Sequence, residues 1–410
     1  MSTGFTPFQR RPITLLNRVG ARLAAHGIAP DLSADHLVQR ASRATGIAWP
    51  HDRHTDSALA ALTESIAADA RLSYFGALVL RARLHGLLTT SLRVAALVAE
   101  RPEIAAEPIT PPIVIAGLQR SGTTMLHRMI AADPRMRAVQ SWEVVHLLPH
   151  RWESDGARPR IRIAQTKAAE MALRYLNPRF AAIHAVEADG PEEDVLLQEY
   201  SLMSQVPEAM LNVPGYAQWL SAQDPRPSYE NLKLLLQVLA QQDRRPHWVL
   251  KTPAHLEHLD TLLEVFPDAV IVNTHRDPVA TTASFSSMLA HGHCMFSDHV
   301  NPEAVARHWL TKNAAMADRA IAVRARHRDR FVDVFYDDLI ADPMGQIERI
   351  YAAAGINLDD AARTAMARHR DGHRQHSHGV HRYSLAEFGL TRAEVAAAYA
   401  NYLAAYPRLQ

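Results

Sequence analysis

Four short apolar runs, each followed by a stretch with helical spacing, limit what this chain can fold into. They are Ile113-Val-Ile-Ala, Trp248-Val-Leu, Ala269-Val-Ile-Val-Asn-Thr and Phe331-Val-Asp-Val-Phe. Helices are expected from about Thr123, around His255 to Val265, from about Pro278 and from about Pro343. Strands this short and β-branched, separated by helices, need crossover connections. Crossovers make a parallel sheet covered on both faces. The expectation is an α/β fold with a central parallel sheet flanked by helices.

The chain ahead of the first strand has a different texture. Asp31-Leu-Ser-Ala-Asp35 carries helix-start residues, and Ser57 to Leu72 continues in that style. Between Tyr74 and Glu100, Leu80, Leu84, Leu87, Leu88 and Leu92 recur at close to helical spacing. Glu107-Pro-Ile-Thr-Pro-Pro112 then stops any helix. The 410 residues therefore divide into a helical N-terminal domain, 1–107, and an α/β domain, 108–410. Within the latter, 151–245 reads as a helical acceptor-binding insertion or lid and 369–390 as a basic C-terminal segment.

The first strand runs into Gly117-Leu-Gln-Arg120-Ser121-Gly122-Thr123-Thr124. A small-residue turn opening a helix presents backbone N–H groups at the positive helix end, which suits phosphate or sulfate. An ordinary strand–turn–helix, with glycines serving geometry alone, is the plainer alternative. Gly117 and Gly122 have Walker A spacing, but Thr123 stands where the lysine belongs, which argues against a Mg-ATP-dependent kinase. Lys+Arg 44 against Asp+Glu 43 gives a net charge of +1. No bulk field draws nucleic acid or an anionic membrane, so an anion must be held locally. No apolar run reaches the roughly 18–20 residues of a membrane span. The N-terminus lacks the pattern of a signal peptide, and the single Cys294 excludes an internal disulfide; a cytoplasmic protein is expected.

Taken with three later segments, this loop resembles that of sulfotransferases using 3′-phosphoadenosine-5′-phosphosulfate. It is closer to the bacterial and tyrosyl-protein branches, with Arg at the cationic position. The later segments are Lys251-Thr-Pro-Ala-His, Thr274-His-Arg276-Asp-Pro-Val-Ala-Thr-Thr-Ala-Ser284 and Tyr336-Asp-Asp-Leu. The tail His381-Arg382-Tyr383-Ser384-Leu is similar to the C-terminal signature of bacterial members. One departure is Gln119, where bacterial members carry Pro.

The resemblance implies a P-loop-like topology for the central parallel sheet, and it implies roles. Arg120, with Ser121, Gly122, Thr123 and Thr124, would hold the 5′-phosphosulfate. Arg276 and Ser284, on one helix face, would share the 3′-phosphate; a salt bridge from Arg276 to Asp277 is the alternative. Lys251 would neutralise the bridging oxygen, unless it is a surface lysine. Tyr336 would contact the nucleotide, unless it is a core residue, and Arg382 and Tyr383 would close over it. Glu143, in Ser141-Trp-Glu-Val, is the candidate base, with a capping or salt-bridged glutamate as its alternative. His184 is the second candidate base, and His127 is read as locally packed. His373, His376, His378 and His381 could chelate a metal, but interleaved arginines oppose a cation, so the tail is read as a cover for phosphates and no metal is expected.

The implied activity is sulfuryl transfer to a hydroxyl of a small or lipid-like alcohol or phenol, releasing adenosine 3′,5′-bisphosphate. Leu196, Leu197, Tyr200, Met203, Met210, Leu211, Tyr216 and Trp219 would line the acceptor pocket or, equally, form core. A non-catalytic nucleotide-binding scaffold is the rival from another class, and a homo-oligomer is compatible with the sequence.

Overall fold

The computed structural model describes residues 9–150, 152–153, 158–183, 187–372 and 384–409. Among these residues five strands, β1 (Ile113–Gly117), β2 (Met136–Arg137), β3 (His247–Lys251), β4 (Val270–His275) and β5 (Phe331–Phe335), form one sheet in the order β2-β3-β1-β4-β5. Every pairing is parallel, with Ile113 opposite Val249 on one side and Val270 on the other. Four strands stand where their β-branched runs predict. The fifth, β2, is a two-residue edge strand without an apolar run of its own.

Because side chains alternate along a strand, each face of the sheet feeds its own core. Val114, Ala116, Leu250 and Ile271 join one cluster; Ile113, Ile115, Val249 and Val272 join the other. The first cluster continues into Leu37, Leu62, Leu84 and Leu88 of the N-terminal helices and into Leu232 and Leu236 of the helix Arg226–Ala240. Apolar packing thus crosses residue 107 without a break. Polar contacts reinforce it: Arg83 Nε donates to Glu199 at 3.1 Å, and Ser91 Oγ donates to the Tyr200 carbonyl at 3.0 Å.

The insertion between β2 and β3 is helical, including Arg160–Leu176, Pro214–Ser221 and Arg226–Ala240. β1, β3 and β4 all end at the same edge of the sheet, which gathers their following loops in one place. The ends of β1 and β4 approach closely. A Cβ on Gly117 would fall 1.9 Å from Thr274 Oγ1, so only glycine fits there.

Candidate active site

The loop after β1 is locally strained where its cation sits. Gly122 (φ 94°) precedes the helix Thr123–Ala131, and Arg120 itself adopts a left-handed backbone, φ 70°, that non-glycine residues rarely take. Ser121 is fully buried. Its hydroxyl donates to the Leu118 carbonyl and lies 2.6 Å from Thr274 Oγ1, tying the loop to β4. The Ser121 hydroxyl therefore serves the loop's shape, while Gln119, Arg120, Gly122, Thr123 and Thr124 line a cavity of about 350 Å³.

Arg276, one residue beyond β4, reaches the same cavity. Its Nη1 donates to the Arg120 carbonyl at 2.9 Å, and its guanidinium lies 3.8 Å over the Tyr336 ring. Asp277 caps the helix Pro278–His293 by accepting from the Val279 N–H at 2.8 Å. Tyr336 lines the cavity rather than the core. Ser284 is 2% exposed, and its hydroxyl has no hydrogen-bond partner among the described residues. Ser284 itself does not line the cavity, whereas its neighbour Phe285 does.

The other wall carries two carboxylates that the sequence reading missed, Glu192 and Glu193. Glu193 accepts from Lys251 Nζ at 2.6 Å and from Thr252 Oγ1 at 3.2 Å. Glu192 accepts from Ser141 Oγ at 3.0 Å. Asp194 follows them, fully buried, accepting from the Lys251 N–H at 2.8 Å and lying 2.7 Å from His255 Nε2. Burial pushes the Asp194 carboxyl up, but His255 and the N–H bonds prevail and hold it below the usual carboxylate range. The legible signal was three consecutive acids, Glu192-Glu193-Asp194, entering an apolar stretch. Lys251 is buried, not a surface lysine, and lies behind Glu193.

Glu143 is placed elsewhere. It is 1% exposed, accepts from Arg137 Nη1 at 2.9 Å and from the Gln140 N–H at 2.9 Å, and completes a capping box with Gln140. It faces a second, polar cavity with Arg137 and Trp142 and does not line the loop's cavity. The capped and ion-paired alternative describes its position. His184, Arg382, Tyr383, His373, His376, His378 and His381 lie outside the described residues.

The remainder of the loop's cavity is apolar, lined by Val195, Leu196, Val206, Phe285, Met288, Leu289 and Trp309. Trp309 meets Phe285 edge-on at 5.4 Å. Of the apolar residues expected in the insertion, Leu196 lines this cavity, whereas Leu197, Tyr200, Leu211 and Tyr216 are core.

Within the loop helix, burial first and then the Lys251 charge push the His127 imidazole down to about 3, and at the end of the helix Pro278–His293 burial pushes His293 down to about 4. Both stay neutral in the fold at pH 5, while the unfolded chain takes up their protons below about 6.5. Stability is therefore expected to fall between pH 7.5 and 5 by about 2 kcal/mol per histidine. A urea midpoint that drops over this range is the expected reading, and equal midpoints would contradict it.

Comparison with known proteins gives one family. The pattern of the sulfotransferase family matches residues 111–360. The chain resembles the crystal structure of sulfotransferase STF1 from Mycobacterium tuberculosis H37Rv at 32% identity, covering 90% of this chain and 98% of that one, with a TM-score of 0.76. Sulfotransferase STF9 from Mycobacterium avium is 26% identical, covers 92% and 97% of the two chains and gives a TM-score of 0.82. Omega-hydroxy-beta-dihydromenaquinone-9 sulfotransferase Stf3 of Mycobacterium bovis is 27% identical over 271 residues, 60% of this chain. That match spans 63% of the relative's length. With more than half of its length inside the family pattern and the loop geometry in place, the chain belongs to the sulfotransferase family.

Proposed function

We propose that this protein transfers a sulfuryl group from 3′-phosphoadenosine-5′-phosphosulfate to the hydroxyl of an apolar alcohol or phenol, releasing adenosine 3′,5′-bisphosphate. The observation that carries the reading is one cavity with three kinds of wall: the cationic loop, a carboxylate pair and an apolar lining. Arg120 and the N–H groups of the turn would hold the 5′-phosphosulfate. Arg276, fixed by the Tyr336 ring, would grip the 3′-phosphate together with the buried Ser284 hydroxyl. The donor brings an already activated sulfuryl group when bound. The chain's own work is to hold it in line with the acceptor and to take the acceptor's proton.

The proton's destination is assigned to Glu193. Its carboxylate lies in the cavity, and Lys251 and Thr252 fix its orientation. Lys251 acts through Glu193 in this reading, as a positioning residue. The acceptor is assigned an apolar body because Phe285, Met288, Leu289 and Trp309 surround the space beside the carboxylates. The name of the relative Stf3, which gives an ω-hydroxy menaquinone derivative, supports the same class.

A thermal-shift comparison tests the donor. Adenosine 3′,5′-bisphosphate without magnesium, at a hundred times its Kd, is expected to add about 2.7 kcal/mol of stability. Stabilisation by ATP with magnesium, and none by the bisphosphate, would overturn the reading in favour of a kinase.

A further inference from the structure

Two helices present solvent-facing apolar stripes that the site does not use. On the first helix, Arg11–Ala25, Leu15 (62%), Val19 (46%) and Leu23 (37%) are exposed at i, i+4 and i+8. At about 100° per residue they share one arc. Arg11, Arg18 and Arg22, all exposed, run along its edge, and the helix contains no acidic residue. The opposite face, at Asn17 and Gly20, is buried. The helix Arg160–Leu176 repeats the pattern. Met171 (70%), Tyr175 (54%) and Ile161 (46%) form the stripe, edged by Arg160, Lys167 and Arg174. Its acidic residue, Glu170, is paired with Arg174.

The two helices touch at one end of each. Arg10 Nε donates to the Tyr175 carbonyl at 2.9 Å, and its guanidinium lies 4.8 Å over the Tyr175 ring. The end of one helix is thereby fixed beside the start of the other.

We propose that these two faces dock on an anionic lipid bilayer, each helix lying in the interface. An apolar stripe bordered by arginines and lysine is the pattern of a surface-lying helix. Arg11, Arg18, Arg22, Arg160 and Lys167, with Arg174 offset by Glu170, complement an anionic headgroup layer. The near-neutral charge of the whole chain makes this a property of the face, not of the protein. No helix among the described residues is long and apolar enough to cross a membrane, so the contact is one of surface. The inference stands independently of the proposed reaction.

The test is co-sedimentation of the full chain with vesicles of phosphatidylcholine alone or mixed with phosphatidylglycerol. Binding to the mixed vesicles is expected to exceed binding to phosphatidylcholine by about tenfold or more and to weaken with salt. Leu15→Glu with Leu23→Glu, and separately Arg18→Glu with Arg22→Glu, are expected each to lower it about tenfold with an unchanged thermal midpoint, since all four side chains are exposed. Equal binding by wild type and variants, or no preference for the anionic vesicles, would overturn the proposal. So would a dimer in ultracentrifugation that the leucine variants dissociate while vesicle binding is absent, because the face would then meet a second copy.

Discussion

Glu193→Gln is expected to lower kcat by about 10²–10⁴-fold, the usual worth of a positioned general base. Donor affinity should stay within a few-fold, because Glu193 contacts Lys251 and Thr252 rather than the loop. The substitution also removes the countercharge of a buried lysine, so part of any loss could come from the fold. The thermal midpoint separates the two: a variant that keeps its midpoint and loses turnover has lost the base, and one with a lowered midpoint has lost the fold. Glu143→Gln makes the contrast. Glu143 is paired with the buried Arg137, so the variant should lose stability, by about 3–5 kcal/mol at most, while the folded enzyme keeps its kcat. If Glu143→Gln in folded protein abolishes turnover and Glu193→Gln does not, the base is Glu143.

Arg276→Ala is expected to weaken binding of adenosine 3′,5′-bisphosphate by about 30- to 1,000-fold, as loss of one partner in a desolvated charge pair does. Arg276→Lys keeps the charge but loses the planar stack on Tyr336, and should fall between wild type and alanine. Arg276 also supports the loop through the Arg120 carbonyl, so a second nucleotide is needed. Adenosine 5′-phosphosulfate, which lacks the 3′-phosphate, should bind wild type and variant alike. If both nucleotides weaken equally, the arginine holds the loop and not the 3′-phosphate.

The parts of this molecule that were legible in its sequence are those fixed by local chemistry. Strands buried on both faces must be apolar, so Ile113-Val-Ile and Val270-Ile-Val announce themselves. Where the end of β1 crowds Thr274 of β4 only glycine fits, and Gly117 is there. Arg276 was legible as a cation at a strand end opening a helix. What stayed hidden depends on which way a side chain turns. Ser121 looks like a ligand hydroxyl, yet Leu118 and Thr274 take it. Glu143 looks like a base beside a tryptophan, yet Gln140 three residues earlier marks a capping box, and Arg137 across the turn completes an ion pair. Tyr200 and Tyr216 have the composition of an acceptor pocket but pack in the core; the pocket wall comes from Phe285, Met288 and Trp309, distant in sequence. Lys251 and Glu193 are 58 residues apart, and no local pattern joins them.

The central claim is that one cavity brings an activated sulfuryl group to a hydroxyl on an apolar body. Its most direct measurement uses donor labelled with ³⁵S and two matched acceptors, a long-chain ω-hydroxy lipid and its analogue without the hydroxyl. Label is expected to appear in the hydroxylated lipid, in step with release of adenosine 3′,5′-bisphosphate, without magnesium and not in the analogue. Binding of the donor with no label transferred to any apolar hydroxyl, or phosphate transferred from ATP to the same lipid, would contradict it.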